Sequence, residues 1–284
     1  MKKILITGAS GFLGRRAATF LAQSFSIDAP THSQLDLTGP DVEQYLLDSA
    51  PDAVIHCAAL SDVGQCEREP ALCRQLNRDA SVRIARACRT LGTKCVLCSS
   101  DQVYFGSALP GPHREDEPLD PANEYGTQKL EAERLCLQQN PNCVLLRLTW
   151  MYDSVSASPG EHGDFMRSLL AQLEAEEPLI YPIHDRRGIT DVNHVVHNLP
   201  AALQLPGGVY NFGSTNRSDT FTMMRHIFAK LGADPARIHA NAQAFRAAPR
   251  DLCMDTGKAA CYGIHFPSTE EGIAQQLLAH RSLL

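Results

Sequence analysis

The sequence has no apolar run that approaches the roughly 20 residues a membrane-spanning helix needs. Its first apolar stretch, at 4–6, ends at Thr7 and Gly8, far short of the hydrophobic region of a signal peptide. Basic residues are not in excess either, because 26 Lys and Arg stand against 32 Asp and Glu and form no block. These absences argue against a membrane span and against a nucleic-acid partner. We expect a cytoplasmic protein.

Cysteine pairs with the spacing of metal ligands are scarce as well. The 10 cysteines lie mostly in apolar runs, and Cys95 with Cys98 forms the one C-x-x-C spacing. Both residues fall on one predicted strand, where their side chains point in different directions, and no histidine-rich segment is near them in sequence. We therefore expect no metal site, and thiols that pack as small apolar groups in a reducing compartment.

Short apolar runs alternate with helix-length segments through the first half of the chain. Strands are predicted at 3–7, 25–27, 53–57, 94–98 and 143–147, and helices at 12–24, 41–49, 70–91 and 124–139. Continuous apolar strands joined by helical crossovers are typical of a parallel sheet that is covered on both faces. The predicted fold class is α/β, with a Rossmann-type doubly wound parallel sheet whose ligands bind at the carboxyl ends of the strands.

The pattern becomes less regular after Trp150, which indicates a second, smaller lobe. A polar loop over 153–163 precedes a predicted helix at 165–176 and a strand at 178–181, and a strand at 208–212 returns to the sheet. We predict a dinucleotide-binding domain over 1–153 together with 185–214. The smaller substrate-binding lobe takes 154–184 and 215–284.

A glycine-rich turn, TGASGFLG at 7–14, follows the first predicted strand. Gly8 allows a tight turn, Gly11 allows the backbone to approach a pyrophosphate, and Gly14 allows the next helix to pack close to the sheet. The N-terminus of that helix favours an anion. Glycines that serve loop conformation alone are the alternative. The dinucleotide reading assigns cofactor contacts to Gly8, Ser10, Gly11, Phe12, Leu13 and Gly14.

Tyr125 and Lys129 are four residues apart on a predicted helix, so their side chains share one face. A nearby ammonium stabilises an ionised phenol, and the pair could then donate and recover a proton near neutral pH. An ordinary surface pair is the alternative reading. Ser100 closely follows the predicted strand at 94–98, at the sheet edge where a ligand would lie, and its hydroxyl can hydrogen-bond a carbonyl oxygen.

These motifs resemble the extended short-chain dehydrogenase/reductase family, through TGASGFLG, CAAL at 57–60, LN at 76–77, SSD at 99–101 and YGTQK at 125–129. The resemblance implies that Tyr125 is the proton donor, that Lys129 lowers its pKa and holds the nicotinamide ribose, and that Ser100 orients the carbonyl. It also implies cofactor contacts at Asp36, Leu37, Cys57, Ala58, Ala59 and Asn77.

The choice of cofactor depends on few residues. Asp28 could accept the ribose hydroxyl of NAD, whereas Arg15, Arg16 and His32 could meet the 2′-phosphate of NADP. NADP(H) is favoured and NAD(H) stays open.

Within that family the chain resembles the dTDP-4-dehydrorhamnose reductase group, through SSDQVYFG at 99–106, the acidic stretch at 114–118 and RLTWMY at 147–152. The resemblance implies a nucleotide-sugar substrate, with contacts at Ser100, Asp101, Trp150, Arg187 and Arg250. Gln102, Ile189 and Gly64 depart from the pattern of the group and leave the sugar open.

The resulting hypothesis is an NAD(P)H-dependent reductase of a nucleotide-linked 4-keto-6-deoxy sugar. One alternative is a non-catalytic nucleotide-binding subunit, because the same group includes the regulatory beta subunit of methionine adenosyltransferase. Another is a nucleotide-sugar epimerase or dehydratase. The resemblance further implies a homodimer formed through the helices at 70–91 and 124–139.

Overall fold

The computed structural model describes residues 1–153, 164–175 and 177–281. Except for Asp153, the predicted polar loop over 153–163 lies outside these residues, and so does the predicted start of the second lobe at 154. The remaining predicted elements can be compared with the structure directly.

Strands and helices alternate along the chain. The strands are β1 (Lys3–Thr7), β2 (Ser26–Asp28), β3 (Ala53–His56), β4 (Lys94–Ser100), β5 (Val144–Leu148), β6 (Trp150–Tyr152), β7 (Leu179–Pro182), β8 (Asp185–Arg187), β9 (Ile189–Asp191), β10 (Gly208–Phe212), β11 (Ile238–Asn241) and β12 (Arg250–Leu252). The α-helices are α1 (Phe12–Leu21), α2 (Val42–Ser49), α3 (Val63–Arg68), α4 (Pro70–Cys73), α5 (Ala80–Leu91), α6 (Glu124–Gln139), α7 (Asp164–Glu174), α8 (Val192–Ala202), α9 (Thr220–Lys230), α10 (Gly257–Ala260) and α11 (Thr269–Arg281).

Six strands form one parallel sheet in the order β10-β5-β4-β3-β1-β2. The order reverses at β1, since β2 lies on one side of this strand and β3 on the other. Loops that leave the carboxyl ends of β1 and β3 therefore run to opposite faces, which leaves a crevice for a ligand between them. The predicted α/β fold with a Rossmann-type parallel sheet is confirmed.

Both faces of the sheet are covered by helices because successive residues of each strand point to opposite sides. Ile6 packs in a core that includes Leu13 of α1 and residues of α8. Its neighbour Leu5 packs in another core with Leu46 of α2 and Ile84 of α5. This burial on two faces explains why the strands read as continuous apolar runs.

The predicted helices differ from the observed ones mainly at their ends. The helix predicted over 12–24 ends at Leu21, and the segment predicted as one helix over 70–91 contains a π-helical turn, Arg74–Asp79, between α4 and α5. The helix predicted over 124–139 is α6. A homodimer through these helices stays a prediction. Within the described ranges, no helix combines the length and the apolar character that crossing a bilayer requires.

A further apolar core lies among α7, α9 and α11, where Met166, Phe228 and Ile273 are buried. Near it, β7 pairs with β11 and β8 pairs with β12, and neither pair joins the central sheet. In contrast, β10 returns to the central sheet beside β5. These features support the division into two lobes, whose boundaries stay a proposal.

Candidate active site at the carboxyl edge of the sheet

A cavity of about 1170 Å³ opens at the carboxyl edge of the central sheet. Single ligand pockets commonly have volumes of roughly 300–1,000 Å³, so this cavity has room for a long ligand or for two ligands side by side. Most residues that the sequence predicted for the site line it: Gly8, Ser10, Gly11, Phe12, Leu13, Leu37, Cys57, Ala58, Ala59, Ser100, Asp101, Tyr125, Lys129, Trp150, Arg187 and Arg250.

The glycine-rich turn forms one end of this cavity. Gly8 has a φ of +69°, and a Cβ atom there would lie 2.6 Å from the backbone nitrogen of Ala58, in the loop after β3. A Cβ atom on Gly14 would lie 2.1 Å from the carbonyl oxygen of Gly8. The turn is closed by the Gly11 N–H, which donates to the same oxygen at 2.9 Å.

The first turn of α1 follows this turn directly and lines the cavity at Phe12 and Leu13. Bare backbone and the free N–H groups of a helix N-terminus make a surface that suits a phosphate group. The residues present therefore fit the pyrophosphate of a dinucleotide.

Helix α6 holds the Tyr125 and Lys129 side chains at the centre of the cavity. The side chain of Asn123 caps the helix and accepts a hydrogen bond from the Gly126 N–H at 2.7 Å. Gly126 allows the helix to approach the loop after β4, since a Cβ atom there would lie 2.4 Å from the carbonyl oxygen of Gln102. This close approach brings α6 and the end of β4 together.

Lys129 is almost fully buried and donates a hydrogen bond from Nζ to the carbonyl oxygen of Cys98 at 2.9 Å. Its ammonium lies 5.8 Å from the centre of the Tyr125 ring. Burial lowers the pKa of Lys129, while Cys98 and other neighbouring groups oppose this shift. The cation is thus anchored to β4 and lies beside the phenol.

Tyr125 is 8 % exposed, and burial raises the pKa of its phenol, although the nearby Ser100 hydroxyl acts in the opposite direction. The resemblance implied a pKa lowered by Lys129; in this structure the pKa is raised, and burial is the main cause. Tyr125 is therefore a neutral phenol at neutral pH. That form carries the proton that a general acid must deliver.

Asp101 follows Ser100 and is buried beside it, with the Ser100 hydroxyl donating to Asp101 Oδ1 at 3.2 Å. Burial raises the pKa of Asp101 to about 6, although Arg187 and Arg250 lower it. A carboxyl group with this pKa changes charge close to neutral pH. Its negative charge is stabilised when the two guanidinium groups are near.

Arg187 and Arg250 line the far side of the cavity. The guanidinium carbon of Arg187 lies 5.2 Å from the centre of the Trp150 ring. Arg250 donates from Nε to Asp185 Oδ1 at 2.9 Å and lies 3.8 Å from the centre of the Phe245 ring. Two guanidinium groups supported in this way can bind the oxygens of a diphosphate.

Three residues assigned to the cofactor in the sequence do not line the cavity. Gly14 packs α1 against the turn, as described above. Asp36 accepts hydrogen bonds from the N–H and hydroxyl of Thr38 at 2.8 and 2.7 Å. Asn77 is fully buried and exchanges two hydrogen bonds of 2.9 Å with the backbone of Leu60. These bonds hold the loop after β3 in place, and a direct cofactor contact of Asn77 stays a prediction.

Two of the residues weighed for cofactor selectivity are also engaged elsewhere. Arg16 donates from Nε to Asp153 at 2.7 Å and does not line the cavity. Asp28 accepts a hydrogen bond from the Ser49 hydroxyl at 2.6 Å and does not line the cavity. His32 does line it, next to Leu35 and Leu37.

Sequence reasoning missed two groups of residues. Phe245 lines the cavity and has a positive φ of +59°. No local sequence motif identifies it as a site residue. The second group is a buried network behind the site, in which Glu133 of α6 pairs with Arg147 of β5 at 2.7 Å and accepts from the Ser99 hydroxyl at 2.5 Å. Arg147 also donates to the Tyr104 hydroxyl at 2.7 Å. The sequence signal for this network was Arg147, a charged residue within an apolar strand.

No cluster of three or more His, Cys, Asp or Glu side chains that could hold a metal ion occurs in the part of the chain that the structure describes.

Comparison with known proteins gives a consistent picture. The model of the RmlD substrate binding domain family matches residues 1–280. A dTDP-4-dehydrorhamnose reductase of Streptomyces griseus is 32% identical over 244 residues, which are 82% of this chain and 78% of that protein. The beta subunit of methionine adenosyltransferase 2 of Bos taurus is 32% identical over 163 residues, 54% of this chain and 48% of the subunit. A crystal structure of dTDP-4-dehydrorhamnose reductase from Bacillus anthracis in complex with NADP has a TM-score of 0.80 at 22% identity and covers 98% of both chains.

Proposed function

The chain belongs to the RmlD substrate-binding domain family, and on this basis we propose that it reduces the 4-keto group of a nucleotide-linked 4-keto-6-deoxy sugar with NADPH, as a dTDP-4-dehydrorhamnose reductase does. One observation carries the proposal. Ser100, Tyr125 and Lys129 converge in the same cavity as a turn that fits a pyrophosphate. A reductase needs these two features next to each other.

When bound, NADPH supplies a hydride to the keto carbon. The glycine-rich turn and the first turn of α1 would hold its pyrophosphate. Leu35 and Leu37 would flank the adenine, and Ala58 and Ala59 would leave room for the cofactor along the end of β3.

The keto oxygen gains negative charge as the carbonyl is reduced, and the chain must supply a proton to it. Tyr125 carries that proton on a neutral phenol, and the Ser100 hydroxyl at the end of β4 orients the carbonyl oxygen by a hydrogen bond. The Lys129 ammonium stabilises the phenolate that remains after the transfer. Because Lys129 is anchored to the Cys98 carbonyl, its charge stays beside Tyr125 throughout.

The substrate end of the cavity carries two positively charged side chains, which suit the negative charge of a nucleotide sugar. Arg187 and Arg250 would bind the diphosphate, Trp150 would border the sugar, and Asp101 would accept a hydrogen bond from a sugar hydroxyl. Burial of these groups excludes water, which strengthens each polar contact.

The proposal favours NADP(H) over NAD(H). Asp28, which would select NAD, is hydrogen-bonded to Ser49 and lies outside the cavity wall. Of the residues weighed for the 2′-phosphate, His32 remains at the wall. The crystal structure of the Bacillus anthracis relative contains NADP, which agrees with this choice.

We also place the protein in a reducing cytoplasm, since all its cysteines are free thiols.

The direct test is the loss of nicotinamide absorbance when dTDP-4-dehydrorhamnose is added to the protein with NADPH, and separately with NADH. We expect turnover with both the sugar and NADPH present, and slower turnover with NADH. Omission of the sugar is the control. Binding of NADPH without any turnover would contradict the proposal and direct attention to the second candidate.

That second candidate is a nucleotide-binding regulatory subunit. It is favoured by one observation, the 32% identity with the beta subunit of methionine adenosyltransferase 2, which is limited to about half of each chain. Co-purification with a methionine adenosyltransferase catalytic subunit, in the absence of reductase activity, would support it.

Replacement of Gly14 by Ala is expected to weaken both folding and NADPH binding. The new methyl group would meet the Gly8 carbonyl at 2.1 Å, and this carbonyl closes the phosphate-binding turn. Such overpacking costs about 1–3 kcal/mol. Urea unfolding and fluorescence titration with NADPH measure the two effects.

Gly272→Ala in α11 is the matched control, because its methyl group would make ordinary contacts of 3.6 Å or more. We expect this control to leave NADPH affinity unchanged. An equal loss of affinity in both variants would contradict the role given to the turn.

A further inference from the structure

Two thiols meet in the wall of the cavity. Cys57 directly follows β3 and Cys98 lies in β4, and their sulfur atoms are 3.9 Å apart. The register of the two strands pairs His56 with Leu97, so Cys57 and Cys98 are the next neighbours along the same ladder. Both side chains are partly exposed, and both line the cavity.

The spacing of the two cysteines is compatible with a disulfide bond. Neighbouring strands lie about 4.8 Å apart, and the Cα atoms of disulfide-bonded cysteines are usually about 4.4–6.8 Å apart. The sulfurs would have to approach by about 1.9 Å to reach a bond length near 2.05 Å. Rotation of the two side chains with a small backbone adjustment can provide that movement.

The surroundings favour attack by Cys98. The hydrogen bond with Cys57 lowers the pKa of the Cys98 thiol, and the charge of Lys129 acts in the same direction while burial opposes it. The same pairing raises the pKa of Cys57. Of the two thiols, Cys98 is therefore the one that loses its proton more readily.

The other cysteines do not combine a neighbouring thiol, a lowered pKa and access from the cavity. Cys88, Cys95, Cys136 and Cys143 are fully buried in the apolar core under α2 and α5. Cys66, Cys73 and Cys253 are fully buried as well. Cys261 is exposed. Because oxidation follows thiolate character and access, Cys57 and Cys98 are the pair that a small oxidant in the cavity can reach.

We propose that Cys57 and Cys98 form an oxidation site, at which hydrogen peroxide converts the two thiols into a disulfide that impairs dinucleotide binding. The Cys98 thiolate attacks one peroxide oxygen, so that an S–O bond forms, the O–O bond breaks and hydroxide leaves. The Cys57 sulfur then attacks the sulfenic acid on Cys98; an S–S bond forms, the S–O bond breaks and water leaves. The hydroxide takes the proton released by Cys98, so one peroxide is reduced to two waters.

The bond would act on the cofactor end of the cavity. It would draw together the ends of β3 and β4, next to Ala58 on one side and to the carbonyl of Cys98 that anchors Lys129 on the other. Only this consequence for activity rests on the proposed function; formation of the bond does not. A bound dinucleotide would cover the thiols and slow their oxidation.

The experiment uses the full-length protein with Cys261→Ser, which removes the exposed thiol. After treatment with hydrogen peroxide, intact mass is expected to fall by two hydrogen atoms, and peptide mapping should join Cys57 to Cys98. We expect NADPH affinity, measured by fluorescence, to fall about tenfold or more and to recover with dithiothreitol. Prior saturation with NADPH should slow the loss of mass.

Cys57→Ala and Cys98→Ala in the same background are the matched variants, each compared with its own untreated form. Neither can form the bond. Cys98→Ala also lacks the thiol that attacks peroxide, so its NADPH affinity should stay unchanged, whereas Cys57→Ala should gain oxygen on Cys98 without the loss of two hydrogen atoms. An unchanged mass in the parent, a disulfide between other cysteines, or an equal peroxide effect in both variants would overturn the proposal. Disulfide formation in a protein without reductase activity would refute the proposed function and leave the oxidation site intact.

Discussion

Replacement of Tyr125 by Phe is expected to lower kcat by about 10²–10⁴-fold, the range that a general acid contributes. The substitution removes one hydroxyl and leaves the ring that packs in the cavity wall. No other phenol lines the cavity among the described residues, so no other tyrosine can deliver the proton. The loss should appear in kcat, measured from NADPH oxidation with dTDP-4-dehydrorhamnose at saturation.

The affinity for NADPH separates a chemical role of Tyr125 from a structural one. Because the hydroxyl acts on the keto oxygen, we expect the Kd of NADPH to change little in Tyr125→Phe. Tyr262→Phe, at an exposed tyrosine outside the cavity, is the control and should retain full activity. Activity of Tyr125→Phe within a few-fold of the parent would assign the proton to another donor.

Lys129 contributes to catalysis in a way that the pKa of Tyr125 before the reaction does not reveal. Burial raises the pKa of Tyr125, and the lysine does not reverse this effect at 5.8 Å from the ring. A neutral phenol suits the start of reduction, whereas the cation matters once the proton has left. The pair thus divides one proton transfer between two residues that are one helical turn apart.

The parts of the site that could be predicted from the sequence are those made by neighbours in the chain. The glycine-rich turn at 7–14 and the spacing of Tyr125 and Lys129 are local patterns whose geometry follows from one turn and one helix. Ser100 could be located because a parallel sheet presents the ends of its strands at one edge. These residues do line one cavity.

The remaining features depend on contacts between distant segments. Arg16 was considered for a phosphate contact, yet it pairs with Asp153, 137 residues later in the chain. Arg250 is supported by Asp185 and Phe245, and none of the three lies in a motif that predicts this contact. Asn77 bonds to the backbone of Leu60, 17 residues earlier, and no motif around it indicates this contact. Asp36 differs, because its partner Thr38 is only two residues away and the contact is a local turn.

Removal of one member of the buried pair of Glu133 and Arg147 is expected to destabilise the protein more than loss of an exposed ion pair, because it leaves the other charge buried. Each side chain is 3 % exposed, and the arginine donates to the carboxylate from Nη2 at 2.7 Å and from Nε at 3.0 and 3.2 Å. Arg147→Met would leave a carboxylate buried without its partner. Removal of one member of such a pair costs about 3–5 kcal/mol, measured as the free energy of unfolding in urea.

A double variant tests whether the cost comes from the unpaired charge. Arg147→Met combined with Glu133→Leu removes both charges, and apolar replacement of a buried pair is often close to neutral. We expect the double variant to be more stable than Arg147→Met alone. Arg114→Ala, which removes an exposed ion pair with Asp116, should have little effect. If the double variant were the least stable of the three, the hydrogen bonds to Ser99 and Tyr104 would be the dominant contribution.

The same pair connects stability with the position of the proton donor. Glu133 lies one helical turn beyond Lys129 on α6, and its bonds to Arg147 and Ser99 fasten that helix to β5 and β4. Loosening this contact should move Tyr125 relative to Ser100, at the end of β4. We therefore expect Arg147→Met, assayed well below its unfolding temperature, to lower kcat while NADPH affinity changes less. Recovery of kcat in the double variant would assign the loss to the strain of the unpaired carboxylate.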